Sequence, residues 1–263
     1  MRTWTNSFTT GLATVAMWSG LATPIHAQWL HYPSKGIPRS ANGKPDLNAP
    51  APRTADNKPD LSGIWQAAQT PRYLFNIAAD LKPAEVPFQP WAEALYQERS
   101  ETNGKDHPGA QCLPSGIPEK DAVPDPFKIL QTPDLVVILY ESRTIYRQIF
   151  TDGRPFPVDP QPSWMGYSVG RWEKDALVVE TTGFNGKTWL DMSGHPATDA
   201  LRVTERFSRR DFGNIDLQIT IDDPKAYTKP WSVTEALRLV PDTELVEYIC
   251  EENNRDPGHM VGK

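Results

Sequence analysis

The chain has 263 residues, of which 38% are hydrophobic and 23% are charged, and its formal net charge is −6. This length is sufficient for one large domain with a buried core. No basic run occurs, which argues against a nucleic-acid partner or an anionic membrane surface. Proline is more abundant than glycine, with 26 residues against 17. That balance favours short strands and rigid turns over long helices.

Residues 1–27 have the pattern of a secretory signal peptide. Arg2 is followed by the apolar, uncharged region GLATVAMWSGLA and then by IHA before Gln28. This order predicts cleavage near Ala27 and export to the periplasm or the extracellular space. A retained, uncleaved anchor is the alternative. The apolar region is too short and too polar for a membrane span, and no later segment reaches that length.

Residues 28–58 are rich in Pro, Asn, Lys and Asp and poor in large apolar side chains. We expect an extended proline-rich arm that wraps the surface and adds little to the core. The phrase GKPDL recurs in it as NKPDL, a duplication too short to predict a repeat fold. Residues 59–263 are predicted to form one domain. Within this domain PWAEALYQERSE predicts a short helix near residues 90–102, because Pro90 suits a first helical position.

The remaining pattern is that of an all-β protein. GIWQ is the first predicted strand, and nine β-branched or aromatic runs follow from Phe127, the last of them LVEYIC. Short turn sequences separate many of these runs, which predicts an antiparallel up-and-down meander. A meander with so many strands closes into a barrel to remove its edges, and a two-sheet sandwich is the alternative.

Two resemblances support this interpretation. GIW resembles the G-x-W signature of lipocalins and other calycins, in which the Trp closes one end of an up-and-down barrel. The strings GYSVGRWEKDALVVETTGFNGKTWLD, HPATDALRVTERFSRRDFG and DPKAYTKPW resemble a family of uncharacterised exported bacterial proteins. That resemblance covers most of the chain from Asp60 onward. It implies an exported β-rich protein and supplies no catalytic residue.

Cys112 and Cys250 are the only cysteines of the chain. In an exported protein two cysteines are usually paired, so the sequence predicts a Cys112–Cys250 disulfide. We expect this bond to tie the long N-terminal arm to the last predicted strand.

Strand alternation places three charged side chains in apolar registers: Glu205, Glu235 and Arg147. A buried carboxylate either finds partners or becomes neutral. One interpretation is an internal ion pair of a glutamate with Arg147, or with Arg171 or Arg143. Another is a polar floor that orients a ligand or moves a proton. A bulge that shifts the register is the third.

Two histidines extend this candidate site. His195 lies in the turn before the strand of Glu205, and His259 lies in the C-terminal tail. With the carboxylates they could do acid–base work or hold a metal, but no metal-ligand spacing occurs, and we predict neither metal nor cofactor. Trp172, Tyr167 and Trp189 are candidate ligand-binding aromatics, although core packing is the more common role of such residues.

The predicted function is binding of a small, largely apolar molecule inside an exported barrel, with Glu205, Glu235 and Arg147 as polar anchors. The predicted partner is thus a hydrophobic or amphipathic small molecule, without nucleic acid or a membrane span. One alternative is a cofactor-independent lyase, isomerase or hydrolase, in which Glu205 or His195 is the base and Arg147 stabilises negative charge. A structural envelope protein with a fully packed interior is the other.

Overall fold

The computed structural model describes residues 32–68 and 75–250. Nine strands in these residues form one closed barrel, in chain order around the wall. The strands are β1 (Gly63–Ala67), β2 (Phe127–Gln131), β3 (Leu135–Tyr140), β4 (Ile145–Phe150), β5 (Tyr167–Glu173), β6 (Ala176–Thr182), β7 (Arg202–Arg209), β8 (Asn214–Asp222) and β9 (Trp231–Leu239). The prediction of an all-β barrel is therefore confirmed.

The barrel is mostly antiparallel, but it is not a continuous up-and-down meander. β4 and β5 pair in parallel through Ile149–Ser168 and Phe150–Val169, while all other neighbours, including β1 and β9, are antiparallel. A parallel pair needs a long connection that returns the chain to the same end. Residues 151–166 supply it, and their four prolines prevent a tight hairpin.

Side chains alternate cleanly between the interior and the outer face. In β7 the buried residues are Val203, Glu205, Phe207 and Arg209, and the intervening ones are more exposed. β8 and β9 follow the same rule and bury every second residue. No bulge shifts the register, so the prediction that Glu205 lies on the apolar face is confirmed. The interior is filled by large apolar residues such as Trp65 and Phe127.

The predicted helix and disulfide are present, whereas the last predicted strand is not. Helix α1 spans Pro90–Glu101, within one residue of the predicted range. Cys112 and Cys250 form a disulfide. LVEYIC is not a strand; its chain runs outside the barrel with Val246, Tyr248 and Ile249 exposed, so its apolar residues do not pair with β9. The disulfide thus joins two segments outside the barrel wall, and the expectation that it ties the arm to a last strand is wrong, because Cys112 lies beyond the arm and Cys250 is not in a strand.

No helix among residues 32–68 and 75–250 is long and apolar enough to cross a membrane. The predicted signal peptide and the site residue His259 lie outside the described residues.

The first residues of β1 and the last residues of β9 mark one end of the barrel, which we call the arm end. The arm that covers it contains two copies of one turn, PRSANGKPDLN at residues 38–48 and PRTADNKPDLS at residues 52–62. Matching backbone bonds close both turns: Ser40 N donates to Lys44 O and Thr54 N to Lys58 O, each at 2.9 Å. The short duplication in the sequence is therefore a structural repeat.

The arm adds two partly buried apolar side chains at the edge of the core, and none of its described residues is fully buried. Ile37 and Leu47 pack against the buried cluster, and the backbone of Phe212 and Gly213 donates to the carbonyls of Ala49 and Leu47 at 2.8 and 2.7 Å. These contacts hold the arm across the turn that joins β7 and β8.

The opposite end, at the start of β2 and β9, is closed by residues 107–126, which we call the plug segment. Its short helix α2 spans Glu119–Ala122, and all four residues of α2 are buried. Three of them are charged, so this end brings ionisable groups into the interior.

Candidate functional site

An ion cluster occupies the interior beneath the plug segment. Arg147 projects inward from β4 and is 2% exposed, while Asp121 of α2 and Glu205 of β7 are fully buried. The Arg147 guanidinium donates to Asp121 Oδ2 at 2.7 Å and also bonds to Glu205 Oε2. The predicted internal ion pair of Glu205 with Arg147 is confirmed. It includes a second carboxylate that the strand pattern did not predict.

Neutral groups complete this cluster. Arg147 Nε donates to Ser168 Oγ at 3.0 Å, and a terminal nitrogen donates to Thr181 Oγ1 at 2.8 Å. The Tyr140 hydroxyl donates to Asp121 Oδ1 at 2.6 Å. These bonds hold the guanidinium on several sides, as a buried charge requires. The remaining oxygen, Glu205 Oε1, has no hydrogen-bond partner among the described residues.

Burial and the nearby carboxylate of Asp121 set the protonation of Glu205. Desolvation raises the pKa of Glu205 to about 8; Arg147 opposes this shift and Asp121 adds to it. Burial opposes the charge of Arg147, but Glu205 and Asp121 raise its pKa. One arginine compensates one carboxylate, so a second carboxylate in this enclosed space favours its protonated form. The cluster holds a proton that an exposed glutamate would lose at neutral pH.

His195 is not part of this cluster. Its Nδ1 lies 2.7 Å from Asp191 Oδ2, and Asp191 also accepts backbone bonds from Ile77, Gly194 and His195 itself. The imidazole packs between aromatic rings, with centroids 5.5 Å from Phe88 and 4.3 Å from Tyr96. Of the three predicted catalytic residues, the structure brings together Arg147 and Glu205 and places His195 with Asp191.

The predicted ligand-binding residues are spread over the molecule. Glu235 is buried on the interior face of β9, and Trp172 is half-buried at the arm end, 5.9 Å from Lys58 Nζ. Tyr167 lies on the outer face of β5, where it stacks on Phe150. Trp189 is buried under the Arg99 guanidinium at 4.0 Å. These four side chains do not surround one cavity, and their roles stay predictions.

The plug segment holds functional candidates that the sequence patterns did not predict. His107 Nε2 lies 2.7 Å from Glu119 Oε2, and both residues are buried. His107 Nδ1 accepts a bond from Gly109 N at 3.1 Å, so the proton of the neutral ring lies on Nε2 and is donated to Glu119. Lys120 is buried beside them. The three consecutive charged residues Glu119–Asp121 are visible in the sequence. They lack the alternation of polar and apolar residues from which burial is predicted in a strand.

A cleft opens at the arm end between the arm and the outer side of β1. Its volume is about 610 Å³, and its apolar wall includes Ile37, Ile64, Phe212 and Leu239. Arg209 also lines it.

The Arg209 side chain, 7% exposed, bonds to backbone carbonyls of Asp60, Asp211 and Phe212 and stacks 4.8 Å from the Trp65 ring. Burial lowers the pKa of Arg209 to about 10. Each guanidinium nitrogen donates to a backbone carbonyl, and Asp60 and Asp211 raise the pKa against the effect of burial, although no carboxylate of the described residues forms an ion pair with Arg209.

Within the described part of the chain, no group of three His, Cys, Asp or Glu side chains has the arrangement of a metal site. The sequence matches no model of a known protein family and no curated protein.

Proposed function

We propose that this protein is exported and binds a small amphipathic molecule with an acidic group in the cleft at the arm end. The observation that carries the proposal is a cleft of about 610 Å³ with an apolar wall and a buried arginine, Arg209, that lacks a carboxylate partner among the described residues. Ligand clefts of roughly 300–1,000 Å³ with few polar groups are common at the mouths of barrels.

The polar anchor of this proposal differs from the one predicted from strand alternation. Arg147 and Glu205 are enclosed by the barrel wall and by the plug segment and bond to each other, and neither lines the cleft. Arg209 lies where apolar surface and solvent meet, so a ligand could place its acidic group there and its apolar part along Phe212 and Leu239. A guanidinium suits a carboxylate or sulfonate because it offers several donors in one plane.

Export is the second part of the proposal. It is supported by the signal-peptide pattern of residues 1–27 and by the Cys112–Cys250 disulfide, since disulfides persist in oxidising compartments. A protein outside the cytoplasm that holds a small molecule could carry, store or sense it.

The experiment is a titration with anilinonaphthalene sulfonate, a fluorescent probe with an apolar ring system and one anionic group. We expect saturable binding of one probe per chain. The variant Ile37→Trp fills the cleft and should weaken binding about tenfold or more, because the probe and the indole compete for one volume. Val158→Trp, which adds a similar bulk at a fully exposed position, is the control and should bind normally.

Native mass spectrometry of protein purified from its own compartment would reveal any retained ligand. Equal probe binding by native protein and Ile37→Trp, or no saturable binding at all, would contradict the proposal.

A further inference from the structure

The chain after β9 runs along the outside of the barrel from the arm end to the plug end. We call residues 240–250 the strap. At its first residue, Val240 N donates to Ile64 O of β1 at 2.8 Å, and at its last residue Cys250 is bonded to Cys112 of the plug segment. The strap therefore connects the two ends of the barrel.

The strap forms one wall of the cleft at the arm end. Val240, Thr243 and Glu244 line this cleft, together with arm residues 32–37 and with Ile64 of β1. The strand ladder fixes the position of β1, and so the strap can move without the barrel wall. A change in the position of the strap would change the shape of the cleft.

Backbone and apolar contacts contribute little to holding the strap. Among the described residues, no backbone–backbone hydrogen bond involves residues 243–250. Val246, Tyr248 and Ile249 are 40%, 48% and 46% exposed, so their apolar side chains bury little surface. A segment with few buried contacts opens locally at a small cost in free energy.

Within the described part of the chain, three exposed side-chain hydrogen bonds attach residues 243–250 to β2 and to the connection between β3 and β4. Lys128 Nζ donates to Glu244 Oε2 at 2.7 Å, Val246 N to Glu141 Oε2 at 2.9 Å and Thr144 Oγ1 to Tyr248 O at 3.1 Å. Water competes for each of these bonds, so each is weak by itself. The disulfide closes the strap into a short loop, which raises the effective concentration of all three.

We propose that the Cys112–Cys250 disulfide is a redox switch for the cleft: the oxidised pair fixes the strap as one of its walls, and reduction releases the strap. Both cysteines are half-buried, so a dithiol can reach the bond. The dithiol gives two electrons and two protons to the pair, the S–S bond breaks into two thiols, and the dithiol becomes a disulfide. This inference rests on the proposed binding of a ligand in the cleft.

Reduction should lower the affinity of the cleft without removing the cleft. The barrel and the arm keep their residues in place, but a ligand must then order the strap as it binds. Ordering a mobile segment costs free energy on association, so we expect binding to become about tenfold weaker.

The test compares oxidised and reduced full-length protein in titrations with anilinonaphthalene sulfonate. Dithiothreitol is the reductant, a thiol reagent counts the thiols that form, and circular dichroism verifies that the reduced protein is folded. The Ile37→Trp variant measures binding of the probe outside the cleft, and this part is subtracted in both states. The remaining binding should weaken about tenfold on reduction and recover on reoxidation.

Two variants separate the disulfide from other effects of the reductant. The double variant Cys112→Ser, Cys250→Ser should bind the probe as weakly as reduced protein and should not respond to dithiothreitol. Arg154→Gln, at an exposed ion pair with Asp152, keeps both cysteines and should respond as the native protein does. If the double variant fails to fold, reduction and reoxidation of the native protein decide alone.

A glutamate-specific protease detects release of the strap without any ligand. Cleavage after Glu244 and Glu247 should be about tenfold or more faster in the reduced protein, because the released strap opens more often. Equal cleavage rates in the two states, or equal binding in the cleft, would overturn the switch. If the oxidised protein shows no binding in the cleft while reduction still accelerates cleavage, the proposed function fails and redox control of the strap stands.

Discussion

The two ends of the barrel are closed by different physical means. At the arm end, duplicated turns bring Leu47 to the core and are fastened by exposed ion pairs, Arg39–Asp242 and Arg53–Asp175. At the plug end, a four-residue helix carries charged side chains inward, and its Asp121 reaches Arg147 in the interior. Apolar closure leaves a wide cleft that Arg209 lines, whereas charged closure buries Arg147 with two carboxylates in the interior. The two ends therefore differ in where they place their charged groups.

The largest difference between the ends should appear when one carboxylate is removed from each. Asp121→Asn takes away the charge that compensates buried Arg147, so we expect a loss of about 3–5 kcal/mol in the free energy of unfolding. Asp175→Asn breaks the exposed pair with Arg53 and should leave the free energy of unfolding nearly unchanged. Urea denaturation at neutral pH measures both. Similar losses would show that the interior cluster is solvated and that the contrast between the ends is wrong.

The barrel wall was more predictable from the sequence than the segments that close its plug end. Strand periodicity is strict, so the inward position of Glu205 and Arg147 and the closure of the barrel were predictable from local pattern. The plug segment has no period; its burial depends on the barrel mouth that it fills, and so Asp121, Lys120 and His107 were not predicted. LVEYIC has the composition of a strand, but it follows β9, whose two edges are already paired with β1 and β8. The strand propensity of LVEYIC cannot show that β9 has no free edge with which it could pair.

The disulfide gives the second-largest effect, and it too should act through the plug end. Cys112 lies in the plug segment and Cys250 in the chain after β9, 138 residues apart in sequence. The double variant Cys112→Ser, Cys250→Ser should lose about 2–4 kcal/mol, because the bond restricts a long loop in the unfolded chain. Hydrogen exchange should rise more in residues 107–126 than in the arm. An equal rise at both ends would contradict a local role.

The pH dependence of stability should come from the interior cluster and not from the arm. The folded-state pKa of Glu205, about 8, is above its ordinary value of 4.5. The stabilisation that Glu205 contributes is complete below its unfolded pKa and is lost as the pH rises through its folded pKa. Between about pH 6 and pH 8 we expect the native protein to lose about 2 kcal/mol more than Glu205→Gln, whose amide resembles the protonated acid.

Urea denaturation at several pH values measures this difference, and comparing two variants cancels groups that titrate in both. Asp175→Asn, with the cluster intact, should keep the native pH dependence. If Glu205→Gln also keeps the native pH dependence, a group other than Glu205 holds the proton.

The smallest expected effects compare the two copies of the repeated turn. In both copies the arginine donates to a carbonyl of its own turn, Arg39 to Gly43 O and Arg53 to Asn57 O, and pairs with a carboxylate outside the arm. The side chains of Arg39 and Asp242 are 31% and 25% exposed, against 43% and 67% for Arg53 and Asp175. Water weakens a more exposed pair, so Arg39→Ala should lower the free energy of unfolding more than Arg53→Ala, and both losses should be small.

High salt separates the contribution of each arginine's ion pair from that of its hydrogen bond to the turn carbonyl. At about 1 M sodium chloride the Debye length falls to about 3 Å, which screens an exposed pair but leaves the bond to the turn carbonyl largely intact. Most of the difference between Arg39→Ala and Arg53→Ala should then disappear, while a residual loss common to both remains. If the difference persists in salt, the two copies differ in how the turn packs on the barrel and not in the strength of their ion pairs.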